Sequence, residues 1–176
     1  MTRDNVLDLP RFEILSRLDI HEADFRYYTP QQFHCNEDIN QTCQSESFSV
    51  LHCNIRSIAA NYDKLTELLS ELNYSFKVIG LSETKITNNT GQISNTSLPG
   101  YNFISQPTLS QAGGVGLYIK NGTEFHIRDD LSCVTNKFES LWIEIHCNRV
   151  KNIICGVLYR HPNGKPETFN DYLFRL

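Results

Sequence analysis

The chain has 176 residues, a formal net charge of −4 and 40% hydrophobic residues, a composition that predicts one folded domain with an ordinary core. No run of about 18 apolar residues occurs, so we expect no membrane-spanning helix. Charged rather than apolar residues follow Met1, so we expect no secretory signal and an intracellular protein, nuclear or cytoplasmic.

The negative charge is concentrated in the first part of the chain. Residues 1–47 carry nine Asp or Glu against four Lys or Arg, whereas residues 48–176 carry 11 against 12. Residues 36–46 are also poor in apolar side chains, as in a linker. We therefore predict an acidic, poorly ordered leader over 1–47 and a folded domain over 48–176. Within the leader, residues 7–18 could form a short amphipathic helix, and the aromatic segment 27–33 is expected to dock elsewhere.

Six cysteines are spread along the chain without a C-x-x-C pair. Their spacing does not match a zinc site, and nothing in the sequence indicates an oxidising compartment that would favour disulfides. Three of them, Cys53, Cys147 and Cys155, lie in apolar, strand-like runs. We expect these to be free thiols that pack as small hydrophobic side chains.

The folded domain opens with a predicted strand–helix–strand unit. Apolar runs over Phe48–Cys53 and Phe76–Leu81 predict two buried strands. Between them, leucines recur at helical spacing, and Asn61 is a suitable residue to cap a helix. The leucines are Leu65, Leu68, Leu69 and Leu72. This succession is typical of a βαβ unit, so we expect the two strands to be parallel.

The second half of the chain predicts antiparallel strands. Asn121-Gly122, between Gly113–Lys120 and Glu124–Arg128, is a strong signal for a hairpin. The other expected elements are a strand over Asn102–Ser105, a half-buried strand over Ser140–His146, a buried strand over Asn152–Leu158 and a helix from Pro166. These patterns predict an α/β (α+β) domain with a mixed sheet or two stacked sheets and helices outside.

Three polar side chains follow predicted strands, where ligands bind in open α/β sheets: Asn54, Glu83 and Tyr159. The Glu83 carboxylate suits Mg²⁺, which prefers oxygen ligands. The Asn54 amide could orient a phosphate oxygen, and the Tyr159 phenol could donate a hydrogen bond to one. Each residue also has a plain explanation, as a solvated loop glutamate, a turn asparagine or a strand-end tyrosine.

Other candidate residues carry weaker signals. Arg56 could contact a phosphate. His161 could ionise near neutral pH, but the sequence pairs it with no base or metal. The glycines of Gly113–Gly116 form neither a Walker loop nor a dinucleotide fingerprint, so we interpret them as permitting tight backbone geometry.

Five segments in a fixed order carry a family resemblance. They are Leu51–Ser57, Val78–Thr84, Gly113–Lys120, Glu139–Glu144 and Gly156–Pro162. Together they resemble the endonuclease/exonuclease/phosphatase superfamily of DNase I-like proteins, and most closely the endonuclease domains of non-LTR retrotransposons, which are related to apurinic/apyrimidinic endonucleases. The resemblance implies a four-layer α/β/β/α sandwich, DNA as partner, and phosphodiester hydrolysis that depends on Mg²⁺ or Mn²⁺.

The same resemblance assigns roles to individual residues. Asn54 and Glu83 match the metal and phosphate residues of the family, and Tyr159 matches its active-site tyrosine. Arg56 and Arg160 are the expected substrate-binding residues. The resemblance covers residues 48–162 and leaves the leader outside.

The sequence departs from the family after residue 162. The later Gly-Asp-x-Asn motif and the Asp-His pair, which orient the attacking water and act near the phosphate, do not occur in it. We therefore expect a truncated, N-terminal portion of such a domain, inactive or nearly so by itself. A phosphatase acting on lipid or inositol phosphates, from the same superfamily, and a non-catalytic α/β remnant stay open as alternatives.

Overall fold

A computed structural model describes residues 29–34, 48–88, 96–110, 112–147 and 151–176. In chain order, the helices and strands of these residues are α1 (Pro30–His34), β1 (Val50–Asn54), α2 (Ile58–Leu72), β2 (Val78–Ser82), β3 (Tyr101–Gln106), β4 (Val115–Lys120), β5 (Phe125–Ile127), β6 (Cys133–Val134), β7 (Phe138–Ile145), β8 (Ile153–Arg160) and α3 (Pro166–Leu173). No helix among the described residues is long and apolar enough to cross a membrane. The helix predicted over 7–18 lies outside them.

The first sheet has the strand order β1-β2-β4-β3 in the described part of the chain. Strands β1 and β2 are parallel, with Val50 opposite Val78 and Asn54 opposite Ser82, and α2 connects them. The predicted βαβ unit is therefore confirmed. Strand β4 runs antiparallel to both β2 and β3.

Helix α2 begins earlier than the sequence predicts. Its first residue is Ile58, with Ser57 at the N-cap position, so the prediction of Asn61 as the cap is wrong. Asn61 instead lies inside the helix with φ −127° and ψ 15°, which kinks the first turn. Its side-chain amide donates to the Ile55 carbonyl at 3.0 Å, so it still satisfies a backbone group at this end of the helix.

The second sheet is built around β7. Strand β8 pairs with β7 along its full length, while β5 and β6 pair with different parts of it. The predicted hairpin of β4 with β5 is wrong, although a turn does form at Asn121-Gly122, where Gly122 has φ +80°. Both edges of β4 are already taken by β2 and β3, so the chain crosses to the second sheet, where β5 pairs with β7.

The described residues form four layers, which confirms the predicted α/β sandwich. Helix α2 covers the outer face of the first sheet over a core that includes Leu65, Ile79 and Tyr118. A second core, between the two sheets, includes Val78 and Ile143. Helix α3 covers the outer face of the second sheet by packing the rings of Phe169 and Tyr172 on Phe138.

The described cysteines and the ring of Phe33 also follow the sequence patterns. The described cysteines at 53, 133, 147 and 155 are free thiols, and burial raises the pKa of Cys53 and Cys155. The ring of Phe33, in the aromatic segment expected to dock, packs on Tyr74 and Phe76 with centroid distances of 5.7 and 6.2 Å.

Alternation along the strands directs polar side chains into one end of the inter-sheet space. Glu139 shares the inward face of β7 with Leu141, Ile143 and Ile145, and Tyr159 lies directly opposite it on β8. In the first sheet, Asn54 lies on the same face as Val78, which belongs to the inter-sheet core. The ends of β1, β2 and β8 therefore meet at a common edge of the sandwich.

Candidate active site

Asn54 and Glu83 contact each other directly at the ends of the parallel strands β1 and β2. The Asn54 amide donates from Nδ2 to Glu83 Oε1 at 2.8 Å, and its Oδ1 accepts from the backbone N–H of Arg56 at 3.3 Å. The amide is thus held at both ends. This bond fixes the rotation of the Glu83 carboxylate, which is half-buried and still reaches solvent.

The backbone that carries Glu83 has a positive φ and is held by neighbouring segments. Glu83 has φ 56°, a left-handed conformation that is uncommon for a residue with a side chain. Its carbonyl accepts from the Ser57 N–H at 2.8 Å, so the start of α2 and the end of β2 are joined. Backbone strain of this kind persists where surrounding contacts over-determine it, and it is common at functional sites.

Tyr159 reaches the same carboxylate from the second sheet. Its pKa is raised by burial, by the negative charge of Glu83, by a hydrogen bond to that residue and by the charge of Glu139. The neutral phenol is therefore the favoured form, and it donates to Glu83. The structure thus brings together Asn54, Glu83 and Tyr159, of which the first and the last are 105 positions apart in the sequence.

The two candidate arginines are in different situations. Arg56 lies two residues after Asn54, the last residue of β1, and its side chain is exposed. Arg160 is also exposed, but its guanidinium donates to the Gly164 carbonyl at 2.7 Å and so supports the turn that precedes α3. Arg56 is therefore the arginine that lies close to Asn54 in the sequence and has an exposed side chain.

His161 has a partner that the sequence does not indicate. Its Nε2 lies 3.1 Å from Oε1 of Glu139, and the side chains are 10% and 0% exposed. The signal that could have identified the partner is the alternation of β7, which places Glu139 at an inward position among apolar residues. A carboxylate buried there requires hydrogen-bond donors.

Two residues of the site could supply oxygen ligands to a cation: Glu83 through its carboxylate and, as a weaker ligand, Asn54 through its amide oxygen. No group of three or more His, Cys, Asp or Glu side chains suited to a metal occurs among the residues that the structure describes. A carboxylate that accepts from an amide and a phenol keeps room for a cation, because it has about four lone-pair positions. Two protein oxygen donors fit Mg²⁺, which usually keeps several waters and is bound through one or two carboxylates plus substrate phosphates.

Comparison with known proteins identifies the fold. No protein-family model and no curated protein matches the chain. Among solved structures, an AP endonuclease from Leishmania major matches with a TM-score of 0.50 and 16% identity over 71% of this chain and 44% of that one. The catalytic domain of Xenopus laevis APE2 matches with a TM-score of 0.43 and 19% identity over 73% of this chain and 50% of that one.

The chain therefore spans half or less of the length of these two structures. At 16% identity the likeness concerns the fold alone. The likeness to the Leishmania AP endonuclease thus shows the fold of the described residues, a partial α/β sandwich of the DNase I-like type.

Proposed function

We propose that this chain supplies the Asn54–Glu83–Tyr159 part of the active site of a Mg²⁺-dependent nuclease that hydrolyses DNA phosphodiesters. The observation that carries the proposal is the 2.8 Å bond from Asn54 to Glu83, at a strand end that Tyr159 reaches from the other sheet. The structural likeness to an AP endonuclease supports a nuclease of this fold. We also propose the retrotransposon type, on the basis of the five ordered segments, and an intracellular location, nuclear or cytoplasmic.

Each residue has a distinct role in the proposal. Glu83 holds the divalent ion, Mg²⁺ or Mn²⁺, with Asn54 fixing its carboxylate and contacting the phosphate. When bound, the ion supplies positive charge for the phosphoryl oxygens and lowers the pKa of a bound water. Tyr159 is neutral because its pKa is raised, and when substrate is bound its single hydroxyl proton is donated to the scissile phosphate in place of Glu83. Arg56 and Arg160 bind neighbouring phosphates as charged donors.

We further propose that the 176-residue chain alone nicks DNA slowly or not at all. A general base is needed to activate the attacking water. His161, whose ring contacts Tyr159, has its Nε2 engaged with the buried Glu139 instead.

Metal binding tests the role of Glu83 without requiring activity. Titration of the chain with Mn²⁺, followed by the electron paramagnetic resonance signal of the free ion, should give a saturable site. Glu83→Gln should weaken it by about tenfold or more, because the variant keeps the oxygen that Asn54 contacts but loses the charge. Glu67→Gln removes the same charge from the exposed face of α2 and should leave the affinity unchanged. Equal affinities of the wild type and Glu83→Gln would refute this role.

DNA measurements test the substrate class. Fluorescence polarisation should detect Mg²⁺-dependent binding of duplex DNA, and Arg56→Ala should weaken it while leaving Mn²⁺ binding unchanged. Similar affinity for unmodified and abasic duplexes supports the retrotransposon type, whereas strong preference for the abasic duplex favours a repair type.

Robust plasmid nicking that is lost in Glu83→Gln would confirm the nuclease and contradict slow turnover by the isolated chain. Release of phosphate from inositol phosphates without DNA binding would replace the nuclease proposal by a phosphatase.

A further inference from the structure

A second polar cluster lies behind the candidate active site, and it is more deeply buried. Glu139, on β7, is fully buried and accepts three hydrogen bonds. Oε1 accepts from the Thr108 hydroxyl at 2.5 Å and faces His161 Nε2 at 3.1 Å, and Oε2 accepts from the Gly114 backbone N–H. Such a carboxylate is stable in the interior only while all these donors stay in place.

On one side, the cluster contacts Tyr159. The imidazole of His161 meets the phenol ring edge to face, with 5.1 Å between centroids and an interplanar angle of 82°. The backbone of His161 is itself fixed, because its N–H donates to the Lys137 carbonyl at 2.9 Å and its carbonyl accepts from the Gly164 N–H at 2.8 Å. A ring held in this way limits the rotation of Tyr159, which is two residues away at the end of β8.

On the other side, the cluster supports the backbone after Glu83. The carbonyls of Gly113 and Gly114 accept from the N–H groups of Lys85 and Thr84 at 2.8 and 3.0 Å. Gly113 has φ +110°, and a Cβ there would lie 2.7 Å from Cε1 of His161 and 2.8 Å from Oε2 of Glu139. The glycine turn is thus packed between the buried pair and the segment that presents Glu83.

We propose that His161 and Glu139 are positioning residues, which together hold the Tyr159 phenol and the Glu83 backbone at the distance that the active site requires. His161 acts on Tyr159 through the ring contact and on Glu83 through the chain His161–Glu139–Gly114–Thr84. Its use in catalysis rests on the function proposed above. The positioning itself is a property of this chain, whether or not it acts on DNA.

The test compares His161→Ala with variants that each keep one of its two contacts. His161→Gln keeps a donor for Glu139 but no ring, and His161→Phe keeps a ring for Tyr159 but no donor. Tyr172→Phe is the structural control, because it removes hydrogen bonds to Trp142 and Leu131 on the opposite face of the second sheet. Thermal unfolding of each variant is measured first, so that effects are compared between folded proteins of similar stability.

The readouts are the ¹³C ring resonances of Tyr159, assigned with Tyr159→Phe, and the Mn²⁺ affinity. We expect His161→Ala to shift the Tyr159 resonances and to raise the Mn²⁺ dissociation constant by about tenfold, as for other residues behind a metal site. His161→Gln should have nearly the wild-type Mn²⁺ affinity but shifted Tyr159 resonances. His161→Phe should have nearly wild-type Tyr159 resonances but a weakened Mn²⁺ affinity. Tyr172→Phe should leave both readouts as in the wild type.

Two outcomes would overturn the proposal. The first is that His161→Ala, or His161→Gln where the alanine variant does not fold, leaves the Tyr159 resonances unchanged. The second is that Tyr172→Phe shifts the Tyr159 resonances as much as His161→Ala does, at an equal loss of stability. The role of His161 would then be merely structural. If the wild type binds no Mn²⁺, the proposed metal site fails, but the Tyr159 resonances still decide the positioning.

Discussion

The Tyr159 phenol lies between two carboxylates at the end of the inter-sheet space. Burial, the charge and hydrogen bond of Glu83, and the more distant charge of Glu139 all raise its pKa above the ordinary value of 10.0. A phenol in this setting stays neutral throughout the physiological pH range. It can therefore donate a hydrogen bond throughout that range.

Removing the Glu83 charge should lower the pKa of Tyr159 toward its ordinary value. Glu83→Gln removes the negative charge, the second cause of the shift, and leaves a neutral and weaker hydrogen-bond acceptor, while burial, the largest cause, remains, so the pKa should fall without reaching 10.0. Titration of the Tyr159 ¹³C ring resonance in metal-free buffer measures it, and Glu67→Gln serves as the charge-matched control. An unchanged pKa in Glu83→Gln would mean that the two side chains are not in contact in solution.

At this scale, the sequence identifies candidate residues but not their distances. Asn54, Glu83 and Tyr159 are recognisable because each follows an apolar run. Their contact depends on the register of β1 with β2 and on how the second sheet stacks on the first, and neither follows from local patterns. The His161–Glu139 pair depends on the register of β7 with β8, which sets Glu139 opposite Tyr159.

At the scale of elements, β8 touches different neighbours on its two faces. On its outer face, Gly156 lies against the Trp142 ring, whose Nε1 donates to the Tyr172 hydroxyl of α3 at 2.8 Å. On its inner face, Val157 lies across from Gly80 of β2. Both glycines are strand residues, but only Gly156 leaves no space for a Cβ.

Alanine at these two glycines should change the stability by different amounts. A Cβ at Gly156 would lie 2.3 Å from Cε3 of Trp142, so Gly156→Ala must displace the indole. We expect this variant to lower the free energy of unfolding by about 1–3 kcal/mol, as overpacking does. At Gly80, a Cβ would meet Val157 at an ordinary 3.5 Å, so Gly80→Ala should change the free energy by less than about 1 kcal/mol.

Urea unfolding followed by tryptophan fluorescence and by circular dichroism measures both variants, and the chain has a single tryptophan, Trp142. Equal destabilisation by the two substitutions would contradict the described packing of β8. A normal Gly156→Ala protein with unchanged fluorescence would mean that Trp142 does not lie over Gly156.

The elements themselves were predictable to different degrees. Strong apolar runs predict β1, β2 and β8 within two or three residues of their bounds. The Asn121-Gly122 signal correctly predicts a turn but not the partner of the next strand, because pairing depends on which edges of β4 are still open. Strand β6, which has two residues, leaves no pattern that a sequence window could detect.

At the scale of the molecule, two hydrophobic cores share the first sheet as a common wall. Tyr118 of β4 is fully buried in the core below α2, while its neighbours Leu117 and Ile119 face the inter-sheet core. Hydrophobic patterns alone left one mixed sheet and two stacked sheets open. The family resemblance, rather than periodicity, favours the stacked sheets, because long-range stacking has no signature in a local window.

This architecture places several phenols where ionisation is unfavourable, and it should therefore make the fold sensitive to alkali. The pKa is raised in Tyr101, Tyr118, Tyr159 and Tyr172, with burial as the largest cause in each. A group whose pKa is higher in the folded than in the unfolded state stabilises the fold fully below its unfolded pKa, here about 10. That contribution is lost as pH rises toward the folded pKa, because the unfolded chain releases the proton first.

Tyr118 should account for a distinct part of this alkaline loss. Its pKa has the largest shift among the four tyrosines, caused by burial and by the nearby Tyr62. Its hydroxyl donates to the Thr96 carbonyl at 2.7 Å. Each such phenol can add at most about 1.4 kcal/mol per pH unit to the slope of stability against pH. Tyr118→Phe should therefore be less stable at neutral pH, by about 1 kcal/mol for the lost hydrogen bond, and should lose stability less steeply above pH 10. Urea unfolding at intervals from about pH 7 to about pH 11.5 measures both effects. Parallel profiles of stability against pH in wild type and variant would show that the pKa of Tyr118 is the same in the folded and unfolded states.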